Sequence, residues 1–158
     1  MKKFGFTGIV LLAALAMAGC DEKTATEAAV WQTDYDAAVK QATEENKYIL
    51  VNISGLQWCR WCRLLEEEVF STPDFITYAK DNLICVLLDF GRDGQPTAAE
   101  FAARHNALLE RYQIQGFPTV LIQKPDGKTI VRTGYQRGGP ENYVKFIQGV
   151  IEKDNGTN

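Results

Sequence analysis

Eight residues, Leu83-Ile84-Cys85-Val86-Leu87-Leu88-Asp89-Phe90, hold a single charge among seven apolar side chains. A run this short and this apolar predicts a strand covered on both faces, as in a parallel sheet with helices above and below. The β-branched, apolar stretch Tyr48 to Ser54 predicts a second strand of the same kind. Between them lies a segment of helical periodicity, so the two strands read as a parallel pair joined by a crossover.

The rest of the chain fills out this pattern. Asp34 is placed to cap a helix from Tyr35 to Glu45, with Tyr35, Ala38, Val39 and Ala42 on one face. A helix from about Cys59 to Phe70 follows the first strand, and Ser71-Thr72-Pro73-Asp74 restarts a helix through Phe75 to Lys80. Gly91 to Pro96 is a loop, after which Thr97 and Glu100 form a capping box for a helix to about Tyr112. Phe117 to Gln123 and Thr129 to Thr133 predict strands joined by the turn Pro125-Asp126-Gly127-Lys128, and Gly138-Gly139-Pro140 opens a last helix to about Lys153. The expectation is an α/β domain over residues 30–153: a central mixed sheet, parallel crossover first and antiparallel hairpin last, with helices on both faces. Residues 154–158 are expected to fray.

The N-terminal residues read differently. Lys2 and Lys3 precede the apolar run Ile9 to Met17, which is too short for a comfortable membrane span and has the layout of a signal segment. Ala18-Gly19-Cys20 resembles the bacterial lipoprotein lipobox, with Met17 where that pattern usually has leucine. The resemblance implies cleavage of residues 1–19 and a lipid on Cys20, followed by a polar flexible tether over residues 20–29. Asp21 resembles an inner-membrane retention signal, which implies the periplasmic face of that membrane. Cleavage leaves 139 of the 158 residues and takes the net charge from −3 to −5, because Lys2 and Lys3 leave with the signal. An acidic domain of this kind is a poor match for nucleic acid or for polybasic membrane attachment.

Chemistry concentrates in Trp58-Cys59-Arg60-Trp61-Cys62. A C-x-x-C at a strand-to-helix junction is a redox motif, since two thiols three residues apart can open and close a disulfide. Trp58, Cys62, Leu65 and Val69 share one helical stripe, which points Cys62 inward and leaves Cys59 near the unpaired N–H groups of the helix start. That position, with Arg60 and Arg63 nearby, favours a thiolate. Cys59 is therefore expected to be the nucleophile, Cys62 the resolving thiol, and Arg60, Trp58 and Trp61 the supporting residues.

The competing chemistries fit less well. A zinc site would need further ligands, and only Cys85 and His105 remain, so no metal is expected. Covalent haem needs histidine after the second cysteine, where Arg63 stands. A purely structural disulfide would constrain little of the unfolded chain, because the loop it closes is so small. Cys85, in the middle of an apolar strand, reads as an inert buried thiol, and His105, beside Phe101, Leu108 and Leu109, as structural.

Far along the chain, Gly116-Phe117-Pro118-Thr119 places a proline at a strand start, which suggests a cis peptide bond. With Trp58-Cys59, Cys62, Leu65-Glu66 and Val69-Phe70-Ser71, and with Tyr112 before Gly116-Phe117-Pro118-Thr119, the chain resembles the thioredoxin superfamily over about Val30 to Glu152. It is most similar there to relatives of the C-terminal periplasmic domain of the transmembrane thiol:disulfide interchange reductase. The resemblance implies a thioredoxin fold and an oxidoreductase whose only redox group is the Cys59–Cys62 disulfide, with no added cofactor. It also implies that Pro118 is the cis-proline, and that Phe117 and Trp61 line a groove where a substrate strand pairs with backbone. Implied partners are protein thiols or disulfides and a membrane electron donor or acceptor. Thioredoxins carry a buried acid six residues before the first cysteine, and here Ile53 stands at that count with Asn52 beside it. Glu66, Glu67, Glu68 or a water would then relay the proton, or resolution by Cys62 would be slower. The favoured expectation is an extracytoplasmic reductase, with an oxidase or isomerase of the same fold and a non-catalytic peptide-binding module as alternatives.

Overall fold

The computed structural model describes residues 31–156; the signal segment, the tether, Cys20 and Asp21 lie outside the described residues. Strand β1 (Tyr48–Ser54) sends alternate side chains to opposite faces, and the two cores follow from that period of two. Ile49, Val51 and Ile53 join a core with Tyr35, Ala38, Leu88, Phe90 and Leu108. Leu50 joins a second core with Leu65, Val69, Phe70, Phe75, Tyr143 and Ile147. Strand β2 (Leu83–Asp89) runs parallel to β1 in the register Tyr48↔Leu83 to Ser54↔Asp89. Strands β3 (Thr119–Gln123) and β4 (Thr129–Thr133) complete the order β2-β1-β3-β4, both pairings antiparallel.

Helices α1 (Tyr35–Glu45) and α4 (Ala102–Arg111) cover the first core. Helices α2 (Arg60–Leu65), α3 (Pro73–Asn82) and α5 (Gly139–Asn155) cover the second. The expected mixed sheet with helices on both faces is therefore present. Gln32 extends the sheet beyond β2, its N–H donating to the Cys85 carbonyl at 3.0 Å and its own carbonyl accepting from Leu87 N at 2.9 Å. This contact covers part of an otherwise open strand edge.

Four local readings are corrected in the folded chain. The helix expected from Cys59 to Phe70 is α-helical only to Leu65, and Glu66–Phe70 forms a π turn closed by Ser71 N to Glu66 O at 2.8 Å. Thr97 and Glu100 form no capping box. Thr97 Oγ1 instead donates to Asp89, and the segment opens with a 3-10 turn, Ala99–Phe101, before α4. β3 begins at Thr119 and not at Phe117, since proline has no N–H for the ladder. At the other end, α5 continues through Asn155. Asp154, expected to start a frayed tail, pairs with Lys124 at 2.9 Å and accepts from the Tyr48 hydroxyl at 2.8 Å. Both contacts hold its carboxyl below the usual range, Lys124 most strongly.

Candidate active site

β1 ends at Ser54, and the chain must turn at once from sheet to helix. Gly55 makes this turn: a Cβ there would fall 2.6 Å from Cε2 of the Trp58 ring. Its carbonyl accepts from Trp58 N at 3.0 Å and from Cys59 N at 2.8 Å, and Asp89 Oδ1 accepts from Leu56 N at 2.7 Å. Trp58 is half-buried and lies outside α2, so it does not belong to the helical stripe expected of it. Its indole N–H donates to the Phe90 carbonyl at 2.9 Å and its ring meets Phe117 edge-on at 5.7 Å. Phe117 in turn stacks on Phe90 at 5.6 Å. Trp58 thus ties the end of β2 to the loop before β3.

Cys59 is the N-cap of α2, with extended backbone at φ −85° and ψ 113°, one position earlier than the first turn expected. Its sulfur takes the place usually filled by a capping oxygen, accepting from Cys62 N at 3.2 Å. Cys59 and Cys62 are disulfide-bonded, their Cα atoms 5.2 Å apart. Cys59 is 7% exposed and Cys62 1%, so Cys59 is less exposed than a helix-start position suggests but remains the more accessible of the pair. The Cys59 sulfur also lies 3.6 Å from the carbonyl oxygen of Phe117. The Phe117–Pro118 peptide is cis, and both residues are half-buried beside the disulfide.

The flanking residues divide by orientation. Arg60 is exposed, and its guanidinium lies over the Trp61 ring, 5.8 Å from the centroid. Arg63 Nη1 donates to the Gln57 carbonyl at 3.5 Å. Trp61 is 46% exposed and packs against Tyr135 at 5.2 Å. Tyr135 had no distinguishing signal in the sequence. Its hydroxyl donates to Glu68 Oε2 at 2.6 Å, which pushes that phenol above its ordinary range.

Beneath the motif, the sheet corrects the position of the missing acid. Ile53 belongs to the core under α1 and α4, on the face away from the redox helix. Asn52 and Ser54 point to the redox-helix side, 1% and 0% exposed, and neither Asn52 Oδ1 nor Ser54 Oγ finds a protein partner. Asp89, opposite Ser54 in register, places a carboxylate on the same face.

Cys85 and His105 stay apart from this chemistry. Cys85 is a free thiol in the core with Leu50 and Phe75, and burial pushes it up to about 12. His105 is fully buried, its Nε2 2.9 Å from the Thr33 carbonyl oxygen, its ring between Phe90 and Phe101. Among the described residues no cluster of His, Cys, Asp or Glu is arranged to hold a metal ion.

A glycine supports the proline loop from behind. A Cβ on Gly134 would stand 2.9 Å from the Pro118 carbonyl oxygen, a backbone atom that cannot swing aside. Gly134→Ala is expected to cost about 1–3 kcal/mol, the usual range for overpacking, and to slow thiol–disulfide exchange by displacing the Pro118 backbone. Urea midpoints and exchange rates check this, and a variant with the wild-type midpoint would refute the close approach.

Residues 35–150 match the family model described as a thioredoxin-like domain. The chain is 26% identical over 123 residues to a protein of Chlamydia pneumoniae named disulfide bond reductase DsbH, covering 77% of this chain and 72% of that one. It is 30% identical over 95 residues to the thiol:disulfide interchange protein DsbD 2 of Pseudomonas aeruginosa, covering 60% of this chain but only 14% of that much longer protein. A solved structure titled DsbH oxidoreductase superposes with a TM-score of 0.71 at 24% identity, over 92% of this chain and 95% of that one.

Proposed function

The chain belongs to the thioredoxin-like family and is a disulfide oxidoreductase, and from that premise we propose that it reduces disulfides of other proteins outside the cytoplasm. The observation that carries the mechanism is the asymmetry of the pair: Cys59 caps α2 beside Phe117 at 7% exposure, while Cys62 lies behind it at 1%. In the dithiol state, Cys59 thiolate attacks one sulfur of a substrate disulfide. A mixed disulfide forms, and the other substrate sulfur leaves as a thiolate that takes up a proton. Cys62 then loses its proton and attacks the Cys59 sulfur, releasing the second substrate thiol. The substrate gains two electrons and two protons, and the enzyme ends with the Cys59–Cys62 disulfide.

The Cys62 N–H that the Cys59 sulfur accepts would hold a thiolate in place, as an N-cap oxygen is held. Arg60 supports that anion through its net charge rather than by a direct bond, since its guanidinium is drawn over Trp61. Asn52, Ser54 and Asp89 place polar groups on the redox-helix face, along which a water would relay the proton of Cys62. Pro118 and Phe117 present backbone beside Cys59 for pairing with an extended substrate segment.

A dithiol donor at the membrane would return the enzyme to its reduced state, and a lipid on Cys20 would keep the domain close to it. The lipobox-like Ala18-Gly19-Cys20 and the retention-like Asp21 support an anchored, periplasmic-facing location at the inner membrane. No helix among the described residues is long and apolar enough to cross a membrane.

The relative's name supports the reductive direction, and the reduction potential tests it. Equilibration with glutathione or dithiothreitol buffers is expected to place the Cys59–Cys62 couple near thioredoxin, at about −270 mV; a value near about −120 mV would make the protein an oxidase.

A further inference from the structure

The residues between and beyond the two cysteines form a surface that catalysis at sulfur does not require. Trp61 is the large apolar side chain most exposed to solvent among the described residues, at 46%. It is not loose: Tyr135 packs against it at 5.2 Å, and Glu68 anchors the Tyr135 hydroxyl at 2.6 Å. Two rings already fixed in this way lose little conformational freedom when a third group docks on them. Arg60 lies over the Trp61 ring, and Glu68 holds Tyr135.

A guanidinium stacked on an aromatic face keeps its N–H groups free in its own plane, which suits a carboxylate. Arg60, Arg63 and Arg137 are all exposed, on a chain whose net charge is −3, and the charge of Arg137 acts on the Tyr135 hydroxyl. Three guanidinium groups thus border the redox face of an acidic protein.

We propose that Trp61 and Tyr135, flanked by Arg60 and Arg137, select protein disulfides whose attacked cysteine has an aromatic neighbour with an acidic residue next to it. This deepens the oxidoreductase reading and rests on it. The occupant is a segment of a substrate protein: its aromatic side chain covers the exposed Trp61 face, and its carboxylate meets the Arg60 guanidinium.

The test uses four short synthetic peptides, each with one cysteine held as a mixed disulfide with thionitrobenzoate. The cysteine is preceded by phenylalanine or alanine, and that residue is preceded in turn by aspartate or lysine. Attack by Cys59 releases coloured thionitrobenzoate, and Cys62 then releases the peptide thiol, so stopped-flow absorbance reads the rate on the reduced protein. The Phe/Asp peptide is expected to react about tenfold faster than Ala/Lys, equivalent to about 1.4 kcal/mol. Ratios are taken within each variant, so changes in intrinsic thiol reactivity cancel. Trp61→Ala is expected to bring the Phe/Ala ratio near one, and Arg60→Gln or about 0.5 M salt the Asp/Lys ratio. Equal rates on all four peptides in the wild type, or ratios unchanged in the variants, would overturn the selection. Failure to react with any peptide, or with the free chromogenic disulfide, would instead overturn the oxidoreductase reading beneath it.

Discussion

Replacing Cys59 with serine is expected to bring disulfide reduction down to the uncatalysed rate, with an insulin-type turbidity assay as the measurement. Serine keeps the size and the capping contact but cannot supply a thiolate. Cys62, at 1% exposure, has no surface from which to reach a protein disulfide by itself. The reciprocal change, Cys62→Ser, is expected to leave the first attack intact and remove the second. It should accumulate one covalent partner per molecule, seen as an adduct that dithiothreitol releases. If Cys59→Ser formed the adducts and Cys62→Ser did not, the two roles would have to be exchanged.

Phe70→Ala is expected to be the most destabilising single truncation, at about 3–5 kcal/mol. Phe70 is 1% exposed, and its ring meets Phe75 at 4.8 Å, Trp31 at 5.2 Å and Tyr143 at 5.7 Å. These neighbours come from three different parts of the chain, so no single element can close over the void. The loss combines buried apolar surface with the dispersion contacts of three other rings. Urea unfolding should show a lower midpoint with an unchanged slope. A loss under about 1 kcal/mol would mean that this cluster repacks freely.

Where period and local chemistry act alone, sequence and structure agree closely. α1 occupies Tyr35–Glu45 because Asp34 caps it and Asn46 ends it in a left-handed turn. β1 and β4 have the expected ends, since apolar alternation and the Pro125–Lys128 turn leave no competing arrangement. Departures arise where a distant group competes. Thr97 has the local pattern of a helix cap, but its hydroxyl donates to Asp89. Six residues before Cys59 stands Ile53, yet the faces of β1 assign Asn52 and Ser54 to the redox-helix side. Counting along a chain does not say which face of a strand a side chain takes. The bond from Tyr135 to Glu68 spans 67 residues, and no local pattern announces it.

The π turn at Glu66–Phe70 makes the second part of the helix that follows Cys59. A residue added to an ordinary α-helix turns everything after it by about 100°. A wide turn instead absorbs the addition where it occurs. Cys62 and Leu65 before the turn and Val69 and Phe70 within it are all buried, while Glu66, Glu67 and Glu68 carry the change of phase on the solvent side. The turn thus sets the seating of Val69 and Phe70 apart from the phase of the reactive end. New residues can be tried between the cysteines while Phe70 stays seated among its rings.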